Sequence, residues 1–279
     1  VHRLERFGED RPLPDDADLI IVPSPDHWTE RQVYELNAAL RRGQPVLLAT
    51  QRYSFVYRPF RGRYKVDAEQ TGTSVDRLLD ACGSSLGQDW LMDSSSEAIT
   101  IMGTSMMAQQ AQRPAPVEMD THILVTDTGM NDSVPVTNRL GRLLMMWASP
   151  LLVDHARSES VGLKATELLH SSEQSWMVPA HMGNLVNNDI ERPDTFTGPH
   201  TMAVLLEGTF PDAFAGAPVP GWIPGEAGER LPEMSADPVA TRMIVVGCDQ
   251  LLRDRFITSA DNGRFVLNVV DSLALGDTL

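Results

Sequence analysis

Cys248 is the residue of this chain best placed to attack a carbonyl group, because it follows the apolar run at 243–246 and precedes a polar stretch. A sharp strand-to-helix turn of that kind lifts a nucleophile clear of a sheet. The strained turn needs glycine on both sides. Gly247 precedes Cys248, but Gln250 stands where the second glycine belongs. A thiol also needs a histidine base within hydrogen-bond reach. His122, His155, His170, His181 and His200 are available, none of them in a recognisable motif. The pattern favours a small buried side chain at Cys248. An amidotransferase-like or hydrolytic enzyme using this thiol is the rival reading.

Binding is the other chemistry that the spacing allows. Open α/β sheets take ligands in the crevice beyond the carboxyl ends of their parallel strands. The residues that apolar runs place there are Ser24, Asp26, Gln51, Arg52, Ser172 and Asp249. Asp249 has a competing structural reading as the cap of a following helix, which is the stronger of the two. Ser171, Ser172 and Gln174 beside Trp176 suit a saccharide or peptide, or simply the end of a strand with Trp176 in the core.

Metal chemistry finds less support. Asp120, Asp127 and Asp132 lack the spacing of a calcium loop, and no HExxH or paired Cys/His spacing suggests zinc. No phosphate-binding glycine motif occurs, so the chain does not read as an ATPase, and no cofactor is expected. Met102, Met106 and Met107, with Met145 and Met146, suit core filling better than an adaptable binding surface. Cys82 and Cys248 are too few for a disulfide framework and are expected to be two buried free thiols.

The elements that must position these residues follow from periodicity. Residues 18–23 and 45–49 are continuous apolar runs, as expected for strands covered on both faces. Between them Thr29 and Gln32 have capping-box spacing, Val33, Leu36 and Leu40 form a stripe, and Gly43 is a stop. This β-α-β unit should be parallel and right-handed. A helix starting at Ser74 carries Val75, Leu78, Leu79 and Cys82, with Gly83 as its end. Strands are expected at 98–102, 122–126, 142–148, 162–172, 200–208 and 243–246. Loop composition marks 109–116 and 183–198, and a last helix after Asn262 shows Val266, Val269, Val270 and Leu273, with Gly276 as its stop. The expectation is one α/β domain over 1–279, a mostly parallel central sheet with helices on both faces. Excursions are expected near 52–73, a hairpin, and near 210–238, an ordered or mobile loop.

With 279 residues the chain is long enough to bury a substantial core, and its net charge of −15 disfavours nucleic acid or an anionic membrane surface as the main partner. The most apolar stretch, 143–153, is too short to span a bilayer. Because the sequence starts at Val1, it reads as a soluble piece of a longer protein.

The ordered blocks ADLIIVPSPDHWTERQVYELNAALRRGQPVLLAT, ATELLHSSEQSW, HTMAVLLEGTF, RMIVVGCDQLLRD and NGRFVLNVVDSLALGD resemble the ABC-transport-auxiliary family, the GldG-like gliding-motility group. None is a catalytic signature; their order and spacing carry the likeness. One departure is Cys248, where similar sequences usually have a small polar or acidic residue. The resemblance implies a class I glutamine-amidotransferase-like, flavodoxin-like fold, also similar to intraflagellar-transport folds, without amidotransferase chemistry. It further implies an extracytoplasmic (periplasmic) accessory domain, anchored through flanking membrane helices and working with the membrane permease components of an ABC transporter. Its ligand would be an exported molecule or a partner protein at the sheet's carboxyl edge. A pure assembly scaffold is a third reading.

Overall fold

The computed structural model describes residues 12–60, 63–71, 74–100, 116–180, 183–186 and 190–275. Expectations placed on Met102, Met106, Met107, His181 and Gly276 fall outside them, as does nearly all of the stretch 109–116. The chain opens with β1 (Ile20–Val22), α1 (Glu30–Arg41) and β2 (Val46–Ala49). The hairpin β3 (Tyr53–Phe60) and β4 (Arg63–Gln70) leads to α2 (Asp76–Ala81), β5 (Ser84–Leu86) and β6 (Trp90–Asp93). Next come β7 (Ile99–Thr100), β8 (Pro116–Val117), β9 (His122–Thr126), β10 (Arg142–Met146) and β11 (Leu151–Val153). After α3 (His155–Ser160) follow β12 (Leu163–His170), β13 (Ser175–Val178), β14 (Gly183–Val186) and β15 (Thr201–Thr209). Then α4 (Pro232–Ser235), β16 (Ala240–Val246), α5 (Asp254–Ile257) and α6 (Asn262–Leu275) close the described chain.

The central sheet has the order β1-β2-β16-β15-β12. β1, β2 and β16 run parallel, so the apolar segments beginning near residues 18, 45 and 243 lie side by side and point the same way. β15 is antiparallel to both β16 and β12. The remaining strands form small antiparallel sheets of two or three strands. This corrects the expectation of a mostly parallel α/β sheet of amidotransferase-like or flavodoxin-like class: the chain is β-rich, with few helices and a mixed five-stranded sheet. The reason is physical. A continuous apolar run reports burial on both faces, not strand direction. Met202–Leu206 is as apolar as residues 46–49 and as buried, yet it pairs antiparallel on either side. Parallel neighbours also need a crossover of a dozen or more residues, and among the described residues the helices between β3 and β15 have only six residues each.

Alternation splits the sheet side chains between two clusters. Val46, Leu48, Val204, Leu206, Met243 and Val245 pack with Val33, Leu36 and Leu40 of α1. Leu47, Ala49, Ala203, Leu205, Ile244 and Val246 face Phe265, Val269 and Leu273 of α6, together with Ile123, Val125, Leu143 and Met145 from β9 and β10. Phe265, not Val266, is the deepest anchor at the start of α6. A third cluster, rich in aromatics, gathers Tyr53, Val66, Trp90, Met92, Trp147 and Trp176 over the small sheets.

α1 starts as its spacing predicts. Gln32 N–H donates to Thr29 Oγ1 at 3.3 Å, and Thr29 N–H donates to Gln32 Oε1 at 2.8 Å. Gly43, at φ +94°, turns the chain out of the helix, a conformation that glycine adopts without strain. The helix is buried on its polar side too, because the excursion after β15 lies across it. Asn37 Nδ2 donates to Pro211 O at 2.9 Å, and Asn37 Oδ1 accepts from Ala213 N–H at 2.9 Å. Tyr34 Oη accepts from Leu231 N–H at 2.8 Å, and Arg31 donates to Pro220 O at 3.0 Å. Arg41 donates to the carbonyls of Phe210, Glu233 and Ala236. Backbone carbonyls that regular structure leaves unpaired are satisfied here by helix side chains, so the excursion is an ordered strap. Residues 183–186, expected to be loop, pair with β4 as β14.

Candidate functional site

The carboxyl ends of β1, β2 and β16 come together at one edge of the sheet, and their loops build a polar cluster there. Ser24 Oγ lies 2.6 Å from Asp249 Oδ2 and 2.8 Å from Asp26 Oδ2. One hydroxyl proton thus stands between two carboxyl groups that are 225 and 2 residues away in sequence. Asp249 is 2% exposed, while Ser24 and Asp26 are half-buried and form the open side. Gln250 Nε2 donates to Asp249 Oδ1 at 2.7 Å, and Arg253 Nη2 approaches Asp249 Oδ2 at 3.1 Å. Gln51 ties β2 to this group: its Oε1 accepts from Asp249 N–H at 3.2 Å, and its Nε2 donates to Tyr53 O at 2.6 Å. Asp249 occupies the N-cap position of a short 3-10 turn, yet its side chain makes no capping bond. The capping reading therefore fails, and the carboxylate faces the β1 loop instead.

Four predicted residues, Ser24, Asp26, Gln51 and Asp249, form this single network. Arg52 starts from the same edge but points away: its buried guanidinium forks onto Asp76 at 2.8 and 3.2 Å and donates to Leu86 O at 3.0 Å. Ser172 sits on the same edge beyond β15. Two strand spacings of about 4.8 Å put it roughly 10 Å from β16. There its N–H and hydroxyl both donate, at 2.6 Å, to the fully buried Asp93 carboxylate. Gln250 and Arg253 belong to the cluster and were missed, although they lie in the same polar turn as Asp249.

Gly247 makes the convergence possible. A Cβ on it would stand 2.1 Å from Ser149 O, where the backbone at 147–149 passes close to β16. Cys248 follows, fully buried, with its thiol donating to Met146 O at 3.4 Å. Burial pushes this thiol up to about 12, with the Asp249 carboxylate adding to the effect, so it stays protonated. Cys82 is likewise free, buried and pushed up to about 12.

The described histidines serve other partners. His122 is buried, takes Tyr57 Oη at 2.7 Å, and burial lowers it to about 4. His155 and His170 converge on Glu167 of β12 at 2.8 and 2.7 Å. Burial by itself would raise that carboxyl. Hydrogen bonds from Thr201, His155 and His170 outweigh it and bring Glu167 down to about 2. Asp120, weighed above as a metal ligand, is instead forked by Arg192 at 3.0 and 2.5 Å.

The model of a family described as an ABC-type uncharacterized transport system matches residues 3–269. The chain belongs to that family. Membership in this ABC-transport-auxiliary family matches the resemblance carried by the sequence blocks at 18–50 and 241–276. It associates the chain with the components of an ABC-type transport system. No curated protein matches the chain. Among solved structures, the one titled mmIFT52 N-terminal domain is similar at 12% identity and a TM-score of 0.45, covering 94% of this chain and 79% of that one. A likeness that loose fixes neither fold nor function.

Proposed function

We infer that this ABC-transport-auxiliary chain is a non-enzymatic binding domain that docks a partner at the carboxyl edge of β1, β2 and β16. The observation that carries the reading is the meeting of Ser24, Asp26, Gln51 and Asp249 from three separate loops in one network with a half-open mouth. A carboxylate pair sharing one hydroxyl donor suits a partner that brings N–H or O–H donors of its own. The protonated, inaccessible Cys248 thiol supports binding over nucleophilic catalysis. The reading extends to an extracytoplasmic (periplasmic) domain of a membrane-anchored parent, of the gliding-motility type, acting with the permease components and with an exported ligand or protein. Family membership supports the transport association; the side of the membrane and the motility role are inferred from the sequence resemblance.

The test is co-purification of the full-length protein with its transport-system components from membranes. Asp26→Ala, at the open side of the cluster, is expected to lower recovery of those components severalfold while leaving the fold intact. Undiminished recovery would move the docking surface elsewhere. Reporter fusions to the domain, read for compartment, test the placement independently.

A further inference from the structure

β1 closes one side of the central sheet, with β2 on one flank and, among the described residues, no strand on the other. Ile20 N–H donates to Pro45 O at 3.0 Å, so Ile20 and Val22 turn their backbone groups toward β2, and Ile21 between them turns its own outward. Nothing among the described residues takes up the Ile21 N–H or C=O. The side chain is uncovered as well: Ile21 is 45% exposed, against 8% for Ile20 and 3% for Val22. It lies in register with Leu47, on the sheet face that α6 packs against, but outside that cluster. Sheets normally blunt such an edge with a charge or a proline on the strand, or cover it. β1, reading Ile-Ile-Val, carries neither. The approach to it carries charge instead. Asp15, Asp16 and Asp18 are exposed, and their carboxylates make no ion pair or hydrogen bond among the described residues. They stand on a fixed base, because Leu13 is buried in the α1-side core and Gln44 Nε2 donates to Pro14 O at 3.0 Å and to Ala17 O at 3.1 Å.

We propose that the free flank of β1 takes an extended segment of a partner protein as a further strand of the central sheet, a segment that sets an apolar residue against Ile21 and brings Arg or Lys to Asp15, Asp16 and Asp18. Another strand answers the Ile21 N–H, C=O and side chain together. A three-residue strand offers few backbone bonds, and each adds little net. The carboxylates therefore supply the second grip, and they select the partner by charge. A second copy of this chain is a poor occupant: each copy carries a net charge of −15, and residues 12–26 hold no cation to meet the three carboxylates. The surface runs along the side and the amino end of β1, so it stands or falls separately from the carboxyl-edge cluster.

The test uses two synthetic hexapeptides, Arg-Val-Arg-Val-Thr-Val and Glu-Val-Glu-Val-Thr-Val, titrated into the isotope-labelled full chain while its backbone amides are followed by NMR. The basic peptide is expected to shift the Ile21 amide saturably, to bind at least about tenfold more tightly than the acidic one, and to weaken severalfold as salt is added. Joint replacement Asp16→Lys and Asp18→Lys, at exposed positions, should invert the preference. Ile21→Pro removes the outward N–H while sparing the bonds to β2, and should weaken the basic peptide severalfold. Hydrogen exchange of the unliganded wild type needs no variant, so a folding defect cannot mask it: the Ile21 amide is expected to exchange freely. Protection there without peptide would overturn the proposal, and protection that grows with protein concentration would give the edge to a second copy. No saturable shift at Ile21, equal binding of the two peptides, or shifts confined to the carboxyl-edge cluster would each overturn it too.

Discussion

The two thiols illustrate how burial decides what a reactive residue can do. Cys248 looks like a nucleophile by its place between strand and turn, but an uncharged, enclosed thiol attacks slowly. Thiol-reactive reagents are expected to leave Cys82 and Cys248 unlabelled in the native protein and to label both once denaturant opens it; rapid native labelling of Cys248 would revive the hydrolytic reading. Glu167 makes a pH-dependent prediction. Folding holds its carboxyl at about 2, below its ordinary value of 4.5. Its contribution is complete above about 4.5 and drains away as the pH falls toward about 2, on the order of 1–3 kcal/mol for a site about a quarter exposed. Denaturant melts should show the gap between wild type and Glu167→Gln closing over that window. His122 acts earlier. Being lowered from 6.5 to about 4, it removes stability as the pH drops through that range, since the folded state resists taking up the proton.

Particular elements show what periodicity conveys and where it stops. Thr29 and Gln32 announced the start of α1, and replacing Thr29 with alanine is expected to cost about 1 kcal/mol by chemical denaturation. The apolar runs of β2 and β16 announced both their burial and, with that of β1, their place in one layer, whereas β1 is an edge strand that leaves Ile21 45% exposed and is not covered on both faces. Four of the six candidate binding residues met because strand ends align once strand neighbours are known. The direction of β15 was not legible, because a strand buried on both faces carries no mark of how its neighbours run. Nor was β14 legible, since residues 183–186 sit among Asn and Gly and owe their pairing to β4. Arg52 and Ser172 were correctly placed at the edge, but side-chain aim depends on Asp76 and Asp93, far away in sequence, and no local pattern encodes it. Gly247→Ala is the severe change at this scale. Its methyl group would collide with Ser149 O, and a loss of several kcal/mol, or no soluble protein, is expected.

At the level of the whole molecule, the centre of the sheet is joined across nearly the entire sequence: Val46 to Ala49 lie beside Met243 to Val246. The strap over α1 is similarly remote, with Arg31 and Arg41 reaching carbonyls about 170–200 residues onward. Arg41→Met should free this strap and raise protease cleavage within 210–238 while α1 itself stays helical. Contacts this distant are late to form because loop closure comes first. A growing polypeptide that has emerged only as far as residue 235 therefore carries β2 with the hydrogen-bonding flank that β16 will cover still bare. Until β16 leaves the ribosome, such a nascent chain is a natural client for chaperones, which shield unpaired edges during synthesis.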